Sequence, residues 1–213
     1  IVISSTGKHF TAGMDISVFT DGSGIGAQGG DPYTRAESFR QFVLTLQGTF
    51  NCLDNARMPV IAAIQGGCIG AGVDMTSACD IRFCTDEAFF QIAEINIGMT
   101  ADVGTFPRLC KLIPEGWVRE LAYSGRRLPA EKAKAIGLVN ETFATQDAML
   151  AHALELAREI AEKAPVAVAG SKRMINHARD HSIADGLDYI ATWQAGMFSP
   201  PHMMEAFAAK SQK

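Results

Sequence analysis

Two spacings of apolar residues divide this chain. Short, continuous apolar runs bounded by Gly, Pro or Asp fill the first half, and three-to-four-residue spacing dominates the second. Residues 1–4 read as a strand, followed by the turn-rich Ser5-Thr6-Gly7-Lys8. Residues 21–33 are Gly-rich and polar and predict a mobile surface loop. Phe39, Phe42, Val43, Leu46 and Phe50 recur at helical spacing and predict a helix over residues 36–55. Pro59 opens a strand over 60–64 that ends in the Gly66-Gly67 turn, and residues 71–78 form a short buried helix. Residues 80–84 and 88–92 are further strands. Helices follow over 117–123, 129–136, 148–163, 165–178 and 183–197, with Gly125 and Gly137 as stops. Strands alternating with helices, then helices alone, predict an α/β core over residues 1–140 and a helical C-terminal region over 141–213.

Composition narrows the function classes. A formal charge of −4 gives no electrostatic footprint for nucleic acid as a whole, although a local basic patch is compatible with it. The longest uninterrupted apolar run, 60–64, is far too short to cross a membrane as a helix. Five cysteines, odd in number and without zinc-knuckle spacing, read as reduced thiols, mostly small core residues, in a reducing compartment. The chain opens at Ile1 inside an apolar run with no signal pattern, as though within a domain, and its last residues, Ser211-Gln212-Lys213, are not the peroxisomal Ser-Lys-Leu signal.

The candidate chemistry lies in Gly66-Gly67-Cys68-Ile69-Gly70-Ala71-Gly72-Val73-Asp74, read with Glu94 and Asp102. A Gly-rich turn entering a helix leaves backbone N–H groups unpaired, and such groups hold anionic oxygen. Carboxylates brought to the same place could move protons beside that oxygen, which is the requirement of enolate chemistry. Each acid also has a plain structural reading: Asp74 as a first-turn helix acid, Asp102 as a cap, Glu94 as a surface acid. Their apolar flanks (Val73 and Met75; Ile92, Ala93 and Ile95) favour raised pKa values and function.

Three other patterns carry less. Gly24-Ile25-Gly26-Ala27-Gln28-Gly29 matches the dinucleotide fingerprint, but Asp31-Pro32 follows directly and no acid lies between Glu37 and Asp54, so nicotinamide binding is not expected. His177 and His181 stand four apart beside Arg173 and Arg179, which favours a solvated polar face over a metal site. Cys68 is read as a buried thiol rather than a nucleophile.

At these residues the chain resembles the enoyl-CoA hydratase/isomerase (crotonase) superfamily along essentially its whole length. The resemblance is carried by His9-Phe10-Thr11-Ala12-Gly13-Met14-Asp15-Ile16, by the stretch from Pro59 through Asp80-Ile81-Arg82, and by Ala133-Lys134-Ala135-Ile136-Gly137-Leu138-Val139. Asp74, Glu94 and Asp102, the last in Ala101-Asp102-Val103-Gly104-Thr105, make it most similar to the Δ3,5-Δ2,4-dienoyl-CoA isomerases. So do Arg179-Asp180-His181-Ser182 and the run Leu187 to Trp193. Hydratases of the superfamily typically have Glu where Asp74 stands and no acid at Asp102.

The resemblance implies a core of repeated ββα units and a C-terminal helical oligomerisation region. It assigns the oxyanion hole to the backbone N–H groups of Met14 and Ala71, and substrate contact to Ala12, Gly13, Met14, Asp15, Ile16, Gly70 and Ala71. Asp74, Glu94 and Asp102 become the catalytic acids, with Glu94 facing C2 and Asp102 facing C6 of the acyl chain. Many relatives have Gly where Ala71 stands, and many carry strands ahead of the segment that opens at Ile1. The implied substrate is an acyl-CoA thioester, with no cofactor beyond the coenzyme A of the substrate and no metal. The implied assembly is a homotrimer or homohexamer, with Tyr189, Trp193, Met197 and Phe198 as apolar anchors, in a mitochondrial or peroxisomal matrix. Other readings stay open: a 2-enoyl-CoA hydratase or Δ3,Δ2-enoyl-CoA isomerase, and a non-catalytic acyl-CoA-binding or scaffold member, since a fold hosts many functions.

Overall fold

The computed structural model describes residues 1–15, 17 and 30–211. A four-stranded, all-parallel sheet in the order β1-β2-β4-β7 is built from β1 (Val2–Ile3), β2 (Ile61–Ile64), β4 (Ile81–Thr85) and β7 (Glu141–Phe143). A smaller sheet, β3-β5-β6, joins β3 (Gly67–Ile69) to β5 (Phe89–Gln91) in parallel and β5 to β6 (Leu128–Pro129) antiparallel. All four residues of β2 are buried, as suits a central parallel strand covered on both faces.

Helices supply the cover. They are α1 (Pro32–Asn55), α2 (Ala71–Ser77), α3 (Thr105–Leu112), α4 (Glu115–Ser124), α5 (Ala130–Ala135), α6 (Gln146–Ala161), α7 (Pro165–Ala178), α8 (Ile183–Met197) and α9 (Pro200–Ser211). Met149 and Ala153 of α6 pack with Ile61, Ala63 and Phe83 in a satellite core. On the other face Val60, Ala62, Ile64, Val73, Cys84 and Leu109 belong to the main core. Both β7 and α6 lie beyond residue 140, yet they are built onto the same parallel sheet.

Several elements differ from the sequence reading. Helix α1 starts at Pro32, so the expected loop over 21–33 gives up its last two residues. Asp31 caps the helix by accepting from the N–H groups of Tyr33 and Thr34, and Pro32 takes the first helical position, where its missing N–H costs nothing. The rest of that loop through residue 29, including the Gly24–Gly29 motif, lies outside the described residues. The α1 apolar stripe forms a helix but buries no residue, and Phe39 is exposed. Gly67–Ile69, read as part of a turn, is strand β3, because its backbone pairs with β5 from Gly67↔Phe89 to Ile69↔Gln91. Helix α3 was not expected. Its signal is present in Phe106, Leu109, Cys110 and Ile113 at helical spacing after Gly104. Gly125 closes α4 in the left-handed conformation, as anticipated.

The two interior cations tie elements together. Arg82 is buried and donates to the carbonyls of Thr76, Cys79 and Leu138, joining β4 to the end of α2 and to the approach to β7. Lys172 of α7 donates to Leu53 O and Met58 O and pairs with Asp80 at 2.8 Å. Of the apolar anchors expected on α8, Trp193 and Tyr189 turn onto their own chain. A methyl on Gly170 would lie 2.8 Å from Trp193 Nε1, and Tyr189 packs 4.5 Å from the His177 ring. Met197 and Phe198 remain exposed.

Candidate active site

The site begins where the segment before residue 15 crosses β3. Thr11 N–H donates to Gly67 O and Thr11 O accepts from Ile69 N–H, which fastens this segment as a parallel neighbour of β3. Gly13 then takes a φ of 91°, a conformation that side chains resist, and a methyl there would sit 3.1 Å from Ile69 O and 4.0 Å from Ala71 N. The backbone around Met14 is thus laid against the start of α2. Gly70, at φ 56° and ψ −121°, makes the sharp exit from β3 and donates its own N–H to Gln91 O. Among the described residues neither the Met14 nor the Ala71 N–H has a hydrogen-bond acceptor. Two unpaired donors beside one another are suited to an oxyanion.

Glu94 lies against the same turn. A methyl on Gly70 would be 3.2 Å from Glu94 Oε1, one residue from the Ala71 donor. Glu94 opens a short 3-10 turn, Glu94–Ile97, after β5, and its Oε2 is shielded from solvent without a hydrogen-bond partner. Burial pushes its carboxyl above the ordinary Glu value, and the negative charges of Asp74 and Asp102 push the same way. Its apolar flank is only partly a core: Ile92 is buried, whereas Ile95 and Ile97 face outward.

Asp74 is completely buried in α2. Its Oδ1 accepts from Thr105 N–H at 2.6 Å and Thr105 Oγ1 at 2.7 Å, while Oδ2 has no partner. Burial raises its pKa despite the opposing pull of the Thr105 bonds; Asp102 adds to the rise and Arg108 opposes it. Asp102 is half-buried in the loop before α3, and its carbonyl accepts from Gln47 Nε2 of α1 at 2.7 Å. It borders a cavity of about 370 Å³ shared with Gln47, Asn51, Arg108, Lys111 and Arg179, which Asp74 and Glu94 do not line.

The three predicted acids, spread over 29 positions of sequence, therefore meet within electrostatic reach of one another. Ala12, Gly13, Met14 and Asp15 lie on the approach to the donors, and Asp15 accepts from Ser17 N–H at 2.9 Å. Ile16 lies outside the described residues. The discarded candidates have other duties. Cys68 is fully buried 3.5 Å from Thr76 Oγ1, and burial pushes its thiol up to about 12, which removes the thiolate a nucleophile needs. His177 and His181 stack at 3.6 Å, and with His181 and Arg173 exposed they form part of a solvated polar face. Thr105 and Gln47, which hold two of the acids, were not singled out as site residues; Thr directly after a helix-capping Gly was the available sign for the first.

Two unpaired N–H donors and neighbouring carboxylates at the end of β3 are the parts that an enolate-stabilising site on an α/β core requires. The chain belongs to the enoyl-CoA hydratase/isomerase family, whose sequence pattern matches residues 1–212. It is 44% identical to the mitochondrial Delta(3,5)-Delta(2,4)-dienoyl-CoA isomerase of Mus musculus, over all of this chain and 65% of that protein. It is 37% identical to the peroxisomal protein of that name from Arabidopsis thaliana, over all of this chain and 77% of its relative. Among solved structures, the enoyl-CoA hydratase of Bacillus anthracis superposes with a TM-score of 0.84 at 27% identity, covering 100% of this chain and 78% of that one. A putative enoyl-CoA hydratase of Thermobifida fusca in complex with acetoacetyl-CoA gives 0.81 at 25%, covering 92% and 76%. The fold is the crotonase fold, and the chain spans slightly under two thirds of the length of the mammalian relatives it matches.

Proposed function

We propose that this chain carries the active site of a dienoyl-CoA isomerase that converts 3,5-dienoyl-CoA to 2,4-dienoyl-CoA in fatty-acid β-oxidation. The observation that carries the reading is Glu94 against the turn that bears the unpaired Ala71 N–H, within electrostatic reach of Asp74 and Asp102. The likeness to relatives named for this reaction supports it. A hydratase needs no acid at Asp102, whereas moving two double bonds together needs proton transfer at both ends of the diene.

The steps follow from the chemistry. A carboxylate takes a proton from C2, and the electron pair delocalises onto the thioester oxygen. The Met14 and Ala71 N–H groups hold that charge, each contributing on the order of 3–4 kcal/mol by the measure of other oxyanion holes. A protonated carboxyl then delivers a proton to C6, and the double bonds settle at C2 and C4. Glu94, against the Gly70–Ala71 turn, suits the C2 end. Asp102, on a separate loop, suits C6, and Asp74 tunes both through its charge. Coenzyme A arrives as part of the substrate, and the chemistry calls for no cofactor or metal.

Relatives named mitochondrial or peroxisomal support a mitochondrial or peroxisomal location for this chain. Leu187, Ile190, Met197 and Phe198, exposed on and after α8, are compatible with packing between copies in a trimer or hexamer. The test is an ultraviolet assay with 3,5-octadienoyl-CoA, following the conjugated 2,4-dienoyl product. Turnover that falls by about a hundredfold or more in Asp102→Asn, with substrate affinity nearly unchanged, is the expected result. Hydration of crotonyl-CoA without isomerisation would overturn the reading in favour of a hydratase.

A further inference from the structure

We infer that Thr105 is a positioning residue that pins Asp74, leaving one carboxylate oxygen for the acid cluster, and that it thereby sets the geometry of both Asp74 and Asp102. The inference rests on the isomerase reading for its kinetic consequence and on geometry for the rest. Thr105 is the first residue of α3 and is essentially fully buried. It spends two donors, N–H and Oγ–H, on one oxygen of a residue 31 positions away. Asp74 Oδ2 receives no hydrogen bond, although nothing else in this core leaves an Asp side chain fully buried with an idle oxygen among the described residues. A residue serving only to cap α3 would be free to use either oxygen or both. Here one oxygen is saturated and the other is kept clear.

The surroundings explain why two donors are used. Arg108, one turn further along α3, is the nearby cation that favours an ionised Asp74, while Asp102 from the preceding loop and Glu94 from the 3-10 turn oppose it. Cys68 of β3 also lies within its field. A hydrogen bond donated to a carboxylate favours its charged form, so the Thr105 hydroxyl helps a buried acid stay ionised between two others. An ionised Asp74 in turn makes Glu94 hold its proton more tightly. The same contact anchors the segment that carries Asp102. Gly104, at φ 135°, turns the chain directly into Thr105, and Gln47 holds the Asp102 carbonyl from the other side. Loss of the Thr105 hydroxyl would loosen one of two ties on that loop.

The experiment compares Thr105→Val, which keeps the shape and the backbone bond but removes the hydroxyl, with Thr105→Ser, which keeps the hydroxyl. In Thr105→Val, kcat for the dienoyl substrate is expected to fall about tenfold with KM within about twofold, as for one charge-assisted hydrogen bond. The limb of the pH–rate profile that reports ionised Asp74 moves to higher pH, because that form has lost a donor. Thr105→Ser restores the rate and the profile to near the parent. An independent readout is the ¹³C-carboxyl NMR titration of Asp74, whose midpoint should move upward in Val and not in Ser. Equal losses in Val and Ser, or an unmoved profile and midpoint in Val, would overturn the assignment. A parent protein inactive on the dienoyl substrate, with the Asp74 midpoint still moving in Val alone, would sink the isomerase reading and uphold the Thr105–Asp74 tie.

Discussion

Two groups of acids in this molecule are treated in opposite ways. At the junction of α1, α3 and α7, Asp54 accepts from Arg108 at 2.7 Å and from Arg179 at 3.0 Å. Nearby, Asp80 accepts from Lys172 at 2.8 Å and from the Val60 N–H at 2.7 Å. Each negative charge there meets a cation. In the candidate site, Asp74 Oδ2 and Glu94 Oε2 are both shielded from water with no donor among the described residues, and the third acid only adds negative charge. Asp54 and Asp102 line one cavity, so the fold pairs an acid with cations and leaves others without a donor in adjoining places, spending stability where a proton must move. The paired acids bind helices together, and burial raises the pKa values of Asp74 and Glu94, which favours proton holding and release over permanent ionisation.

Mutations should separate the two groups. The largest effect is expected in Glu94→Gln, where the dienoyl turnover falls about a thousandfold, as for loss of an acid–base group, with little change in KM. Steady-state kinetics decides it, and turnover within threefold of the parent would remove Glu94 from the proton-transfer role. In the paired group, Lys172→Ala leaves Asp80 and the Leu53 and Met58 carbonyls without their donor. It is expected to cost about 3 kcal/mol in a urea unfolding curve while kcat at low temperature holds. A loss of turnover with no loss of stability would reverse the contrast.

A smaller effect runs the other way. Glu94→Gln should raise stability by about 1 kcal/mol at neutral pH, because a neutral amide is cheaper to bury than a carboxylate. The pH dependence has a definite sign. Glu94 and Asp74 have pKa values raised on folding, so the folded state holds protons the unfolded chain has released. Their contribution to stability is therefore greatest at acidic pH and declines as pH rises from the ordinary carboxylate range through the raised folded values. Glu94→Gln should flatten that decline, and unfolding curves across this window test it. The smallest effect belongs to the exposed Glu115–Arg119 pair of α4, where Glu115→Ala should leave the thermal midpoint unchanged.

Much of this architecture was legible without coordinates, for local reasons. Helical spacing located α6 to α8, Gly125 marked the end of α4, and the apolar run at 60–64 announced a strand, because these signals act within a few residues of backbone. Elements of two or three residues, such as β6 and β7, have no such signal; they exist only where a partner strand supplies the hydrogen bonds. The acids themselves stood out by their apolar flanks and by resemblance to a family. Only the tertiary structure decided that Asp74 would be held by Thr105, that Glu94 would lie against Gly70 beside the Ala71 N–H, and that Asp54 and Asp80 would be neutralised while these were not. The reason is physical: whether a carboxylate is satisfied depends on what packs within a few ångströms of it, and those neighbours come from distant segments of the chain.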